Sequence, residues 1–129
     1  MPAYDDRRFS PAAPVIIATL RNPKSGEVLA DVPMLIDSGA DVTLLPREMA
    51  GSLGIESAGI YELMGFDGTK SMAEAVRADL LFLRKTFRGQ FLLVDQDIGI
   101  LGRDILNNVS LFLDGPRLVW QEQSSTNRT

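Results

Sequence analysis

Apolar residues in this chain gather in short runs broken by turn formers, and they do not recur every third or fourth position over any long stretch. Val15 to Leu20 is a β-prone run, and Asn22-Pro23-Lys24-Ser25-Gly26 after it is dense in turn residues. A hairpin there carries the chain into a second strand, roughly 27–36, which ends at Asp37. Val42 to Leu45 resumes an apolar strand. Pro46 to Ile55 changes character: Pro46 suits a first helical position, Glu48 lies near the positive end, Met49 and Leu53 share a face, and Gly54 suits a left-handed stop. Segments 60–66 and 71–83 read as strands around Asp67-Gly68, a hairpin turn pair. Residues 87–94 and 98–101 are again strand-like, and 103–108 predicts a one-turn helix. Leu111-Phe112-Leu113, Asp114-Gly115-Pro116 and Leu118-Val119-Trp120 predict a closing hairpin. Many short strands with little helix argue an all-β fold, a small closed barrel or sandwich with one or two short helices.

The 129 residues fit one domain. Residues 1–13 read as a flexible N-terminal arm, 14–121 as the folded domain, and 122–129 as a polar tail. With 17 acidic against 13 basic residues, the balance gives no electrostatic reason to expect nucleic acid. No apolar run approaches the ~20 residues that cross a bilayer, so no membrane role is expected. The opening residues carry acids beside bases and no apolar core of a signal sequence, which by default suggests a cytoplasmic protein. Two absences narrow the chemistry further. Without Cys there is no thiolate nucleophile or sulfur-bound zinc, and without His there is no Ser-His-Asp triad or histidine-bound metal. Hydrolysis by this chain would rest on carboxylates or on a hard metal ion.

The run Leu35-Ile36-Asp37-Ser38-Gly39-Ala40-Asp41 delivers a carboxylate from an apolar strand straight into a Ser-Gly turn. Much later, Ile100-Leu101-Gly102-Arg103-Asp104 ends a second apolar strand in Gly-Arg-Asp. An isolated Asp-Ser-Gly is an ordinary Asx turn. The apolar flanks and the second run give this one a different setting. Two close carboxylates sharing a proton can hydrolyse a peptide bond: one takes a proton from water while the other gives one to the carbonyl oxygen.

In these two motifs, and over roughly residues 14 to 121, the chain resembles the retropepsin-like aspartic proteases, in their cellular or bacterial single-domain form more than the viral one. The resemblance implies a homodimeric aspartic endopeptidase in which each subunit contributes one Asp37, with peptide or protein substrates and no cofactor or metal. It implies catalytic roles for Asp37, Ser38 and Gly39. Ala40 and Asp41 would contact substrate backbone, and Arg103, in the Gly-Arg-Asp run with Asp104, would support the site by pairing with Asp41. Gly65, Phe66, Asp67 and Gly68 fall where the family keeps its flap, a lid over the substrate, and Ile100 would line the site. The closing hairpin, through Leu111, Leu113, Leu118 and Trp120, would supply most of the dimer contact, as terminal strands do in the family.

The competing reading is a catalytically silent module of the same fold that binds peptides or dimerises, since one half-site is useless in a monomer. Gly68-Thr69-Lys70-Ser71 lacks the residue order of a phosphate loop. Asp95-Gln96-Asp97 reads as a solvated turn between strands, with no third acid fixed nearby to hold a divalent ion.

Overall fold

The computed structural model describes residues 2–65 and 67–123. Nine strands and two short helices follow one another as β1 (Val15–Arg21), β2 (Val28–Ile36), β3 (Leu44–Pro46), α1 (Arg47–Ser52), β4 (Ser57–Met64), β5 (Lys70–Phe82), β6 (Lys85–Val94), β7 (Gly99–Leu101), α2 (Arg103–Leu106), β8 (Leu111–Asp114) and β9 (Val119–Glu122). The strand order β1-β2-β7-β3-β6-β5, with β5 returning to β1, closes a six-stranded barrel, and β4 is attached outside it along β5. The fold is all-β, as the runs of short apolar strands lead one to expect.

Closure fills the barrel with side chains from alternate strand positions. Ile16 and Leu20 of β1, Val32 and Met34 of β2, Leu45 of β3, Val76 and Leu80 of β5 and Leu101 of β7 are almost wholly buried. Gly99 shows how closely β7 is packed, since a Cβ there would lie 2.6 Å from the Leu44 carbonyl oxygen and 2.5 Å from Met34 Sδ. Strand β5 is longer than its neighbours. Its first three residues are exposed, and the rest enter the barrel wall. The β4–β5 hairpin therefore projects past the barrel end.

Three local expectations are revised. Pro46 is the last residue of β3, extended at φ −60° and ψ 125° and paired with Val94, so the helix begins at Arg47. The segment expected as a flexible arm is instead tied to the closing hairpin: Tyr4 N donates to Leu118 O at 2.8 Å, Trp120 N to Pro2 O at 2.9 Å, and Asp5 pairs with Ala13. Trp120, expected at the dimer contact, belongs to the core. It is 4% exposed, and its Nε1 donates to Val15 O at 3.1 Å. Leu111 also packs on the core. The apolar residues left exposed on this hairpin are Phe112, Leu113 and Leu118.

Candidate active site

Strands β2 and β7 run parallel, with Ile36 beside Leu101, so their ends deliver Asp37 and Gly102 to the same end of the barrel. The chain leaves β2 in a tight turn. Asp37 N donates to Leu101 O at 3.1 Å, and Ala40 N closes back on Asp37 O at 3.2 Å. Within the turn Gly39 N donates to Asp37 Oδ1 at 2.9 Å, an Asx-type contact that fixes the carboxylate rotamer. No other described residue donates to that carboxylate, so Oδ2 is left free. Asp37 is half-buried, while Ser38, Gly39 and Asp41 are exposed.

Behind the turn lies a second layer of hydrogen bonds. Thr43 is completely buried, and its hydroxyl donates to Asp104 Oδ1 at 2.7 Å and accepts from Gly102 N at 3.0 Å. The Thr43 backbone N–H reaches Asp104 Oδ2 at 3.1 Å. Gly102 has no room for a side chain, because a Cβ would sit 2.6 Å from the Val42 carbonyl. Arg103 N donates to Ala40 O at 2.8 Å, and its guanidinium Nη1 donates to Ser38 O at 2.7 Å. The arginine thus grips the turn by its backbone. The expected Arg103–Asp41 ion pair is not formed among the described residues, because Ser38 O takes the guanidinium instead.

The hairpin loop stands apart in sequence but shares packing with the acidic turn. Leu63, just before the loop, packs with Val42 and Leu44, just after the turn, around Ala73, Ala75 and Leu92. Ile100 is half-buried beside Leu44 in the same wall. At the hairpin tip, Gly65 N donates to Thr69 O at 2.8 Å, and Gly68 has φ +83°, a conformation that favours glycine. Asp67 Oδ1 accepts from both the hydroxyl and the N–H of Thr69, which holds its carboxyl below the usual range. Phe66 lies outside the described residues.

Asp37, Ser38, Gly39, Ala40, Ile100, Arg103 and Asp104 therefore surround one turn. Gly65, Asp67 and Gly68 occupy the hairpin that shares its apolar base, and Asp41 is exposed at the turn's rim. Sequence reasoning missed Thr43, although a hydroxyl in an otherwise aliphatic run was a usable signal. Among the described residues no cluster of three acidic side chains could hold a metal ion, and no helix is long and apolar enough to cross a membrane.

Comparison with known proteins bears on the whole arrangement. No curated protein matches the chain in sequence. Among solved structures, a retropepsin-like aspartic protease from Rickettsia conorii is similar, with a TM-score of 0.61 and 18% identity over 92% of this chain and 86% of that one. The EIAV protease, solved with the inhibitor HBY-793, has a TM-score of 0.55 and 22% identity, covering 74% of this chain and 86% of the other. At such identities the likeness establishes the fold, which is retropepsin-like. The family model for aspartyl proteases matches residues 25–105, a span that runs from the hairpin before Asp37 to the helix after Gly102. Because that match takes in both motif runs and most of the barrel, the chain belongs to the aspartyl protease family.

Proposed function

We propose that the chain is a homodimeric aspartic endopeptidase that hydrolyses peptide bonds with one Asp37 from each subunit. The observation that carries this reading is the Asp37 carboxylate itself. One oxygen is held by Gly39 N, the other is free, and the turn that bears it is exposed in front and braced behind. A single carboxylate cannot serve as acid and base at once. Two of them at one axis cannot both ionise comfortably, so the pair retains a proton and carries an acid and a base together. A water between them would lose a proton to the ionised carboxylate as it attacks, and the protonated one would donate to the carbonyl oxygen. Ser38, exposed beside Asp37, would hydrogen-bond across the axis. Gly39 would let substrate backbone approach, because even a methyl there would crowd Asp37 Oδ1 at 3.1 Å. Ala40, Asp41 and Ile100 would contact substrate, and the hairpin with Gly65, Asp67 and Gly68 would close over it.

The outer edge of β8 supports association. Among the described residues it pairs with β9 on one side only, while Phe112, Leu113 and Leu118 remain 45–46% exposed. An unpaired edge with apolar neighbours is a ready template for another strand. A second copy would cover it.

The test is a peptide-library digest at mildly acidic and neutral pH with Asp37→Asn and Asp37→Ala. Both variants should keep the circular dichroism of the native chain and lose cleavage; undiminished cleavage by either overturns the assignment. Phe112→Lys should leave unfolding by urea within about 0.5 kcal/mol, as exposed substitutions do. It should also shift the sedimentation-derived dissociation constant upward and reduce cleavage most at low protein concentration. A native chain that stays monomeric and inert throughout would instead mark a silent peptide-binding module.

A further inference from the structure

A polar junction on the outer wall links the root of the projecting hairpin to the start of α1 and to the segment that leads into β7. Strand β3 runs parallel to β6, with Pro46 beside Val94, so the next residues, Arg47 and Asp95, emerge together. Arg47 Nε donates to Asp95 Oδ1 at 2.5 Å, and Arg47 Nη1 donates to Glu74 Oε1 at 2.6 Å. Glu74 lies in β5 opposite Ile60 of β4, at the root of the hairpin, and also accepts a hydrogen bond from Ser57. Asp95 begins the 95–97 segment, which leads through Ile98 into β7 and on to Ile100 and Arg103. One guanidinium thus holds the hairpin root with one nitrogen and the entry to β7 with another. Both carboxylates push the Arg47 pKa up, Asp95 foremost, and Arg47 in turn holds the Glu74 carboxyl below its usual range.

The inner side of this junction is packed, since Pro46, Ala73 and Ala75 are buried, but its outer side is not. A cleft separates α1 from the 95–97 segment, lined by Pro46, Arg47, Glu48, Met49, Val94 and Asp95, and residues 95–97 are exposed. The outer faces of Ile60, Met64 and Met72 on the hairpin are likewise 66–68% exposed. Backbone pairing of β5 with β6 and the packing of Leu63 on Val42 and Leu44 hold the inner side of the hairpin base, and on the outer side the two charge-assisted hydrogen bonds of Arg47 tie it to α1 and the 95–97 segment.

We infer that Arg47 is a positioning residue, tethering the β4–β5 hairpin and the 95–97 segment to α1 so that the hairpin's closure over Asp37 is set by this two-armed clamp. The catalytic half of this inference rests on the protease reading above; the mechanical half does not. A lysine cannot replace the arginine, because the two bonds leave from different nitrogens of a planar fork.

Hydrogen exchange on the full native chain, Arg47→Gln, Arg47→Lys and Glu74→Gln tests the mechanical half. In Arg47→Gln and Arg47→Lys, amides within 57–75 and 95–101 should exchange about threefold faster, the scale carried by exposed ion pairs. Those of β1 and β2 should be unchanged. The native chain should approach the Arg47→Gln pattern as salt rises from about 0.05 to 0.5 M, because screening weakens exposed pairs. Adding Arg47→Gln to Glu74→Gln should change exchange in 57–75 less than it does alone, since both remove the same contact. With a peptide that the native enzyme cleaves, KM should rise about threefold while kcat changes less than twofold. Unchanged local exchange, or equal acceleration in every strand, overturns the tether. Faster local exchange in a chain whose native form cleaves no peptide leaves the tether standing and removes the protease reading.

Discussion

Thr43→Val removes one hydroxyl from the layer behind the acidic turn and almost nothing else, because valine has the same shape. Thr43 is wholly buried, and no buried side-chain polar atom among the described residues lacks a partner, so the deletion opens a defect in a fully paired network. Two losses follow. The hydroxyl's bond to the Asp104 carboxylate at 2.7 Å is charge-assisted, a class that contributes about 1.5–3 kcal/mol. The buried Gly102 N–H loses its acceptor, at a cost of about 1–3 kcal/mol. These overlap, and the new methyl recovers part through apolar burial, up to about 0.8 kcal/mol. The net destabilisation should be about 3 kcal/mol. With a urea slope of about 1.5 kcal/mol per molar for a domain of this size, the midpoint should fall by about 2 M with the slope unchanged. Thr43→Ser keeps the hydroxyl, loses one methyl, and should cost about 1 kcal/mol. Cleavage by folded Thr43→Val should fall as well, because Gly102 positions Arg103, whose guanidinium holds Ser38 O. A Thr43→Val chain within about 0.5 kcal/mol of native, or one no worse than Thr43→Ser, would refute the hydrogen-bond account.

Two further outcomes follow from the barrel. Asp79 is fully buried and accepts from Arg88 at 2.8 and 3.0 Å and from Arg21 at 2.9 Å, and these bonds, Arg88's foremost, outweigh burial and hold its carboxyl below 3.8. Its folded pKa is depressed, so its stabilisation is complete above the unfolded carboxyl pKa of about 3.9 and fades as pH drops through the lower folded value. The stability gap between native chain and Asp79→Asn, measured by urea titration, should therefore be constant from about pH 7 to 5 and shrink below about pH 4; a gap that grows in acid would contradict the pairing. Arg84 is exposed and sits with Leu83 in the β5–β6 turn at φ +60° and +53°. Arg84→Gly should stabilise the chain by about 0.5–1 kcal/mol and raise the melting temperature by about 3 °C, by removing a left-handed side-chain clash, and a lower melting temperature would count against it.

That turn also marks where the sequence stops being readable. The strands announced themselves because alternation and turn-rich breaks are local properties, and Asp37 stood out because it interrupts an aliphatic run. Leu83-Arg84 carries none of the Asn or Gly that favour positive φ, yet the pairing of Phe82 with Lys85 forces a two-residue loop there. The helix start slipped from Pro46 to Arg47 because β3 needed Pro46 as its last paired residue. The N-terminal segment looked unstructured by composition, but it has a partner in β9, far along the chain, that no local pattern reveals. Trp120 was read at a contact surface because it ends an apolar strand; the edge of β1, through Val15 O, claims its indole N–H instead. At the site, Arg103 was legible as a support, but not its target. An arginine near two acceptors chooses by backbone geometry, and Ser38 O lies within reach once Arg103 N is fixed to Ala40 O.

The disposition of these contacts explains why the acidic turn is at once rigid and unfinished. Leu101 O, Gly102 N, the Arg103 guanidinium, Thr43 and Asp104 all meet the turn or its neighbours from the barrel side. Each contact removes freedom that a catalytic carboxylate would otherwise lose on binding substrate. On the opposite side nothing among the described residues covers Ser38, Gly39 or Asp41, and the carboxylate keeps one oxygen without a donor. A turn that only linked two strands would need no such bracing, since Asx turns in solvent are stable enough for that task. Holding a carboxylate still while leaving it bare is useful when a second group must meet it in one geometry. Under the proposed reading, a chain with a single Asp-Ser-Gly in its sequence would draw that group from the same turn of another copy.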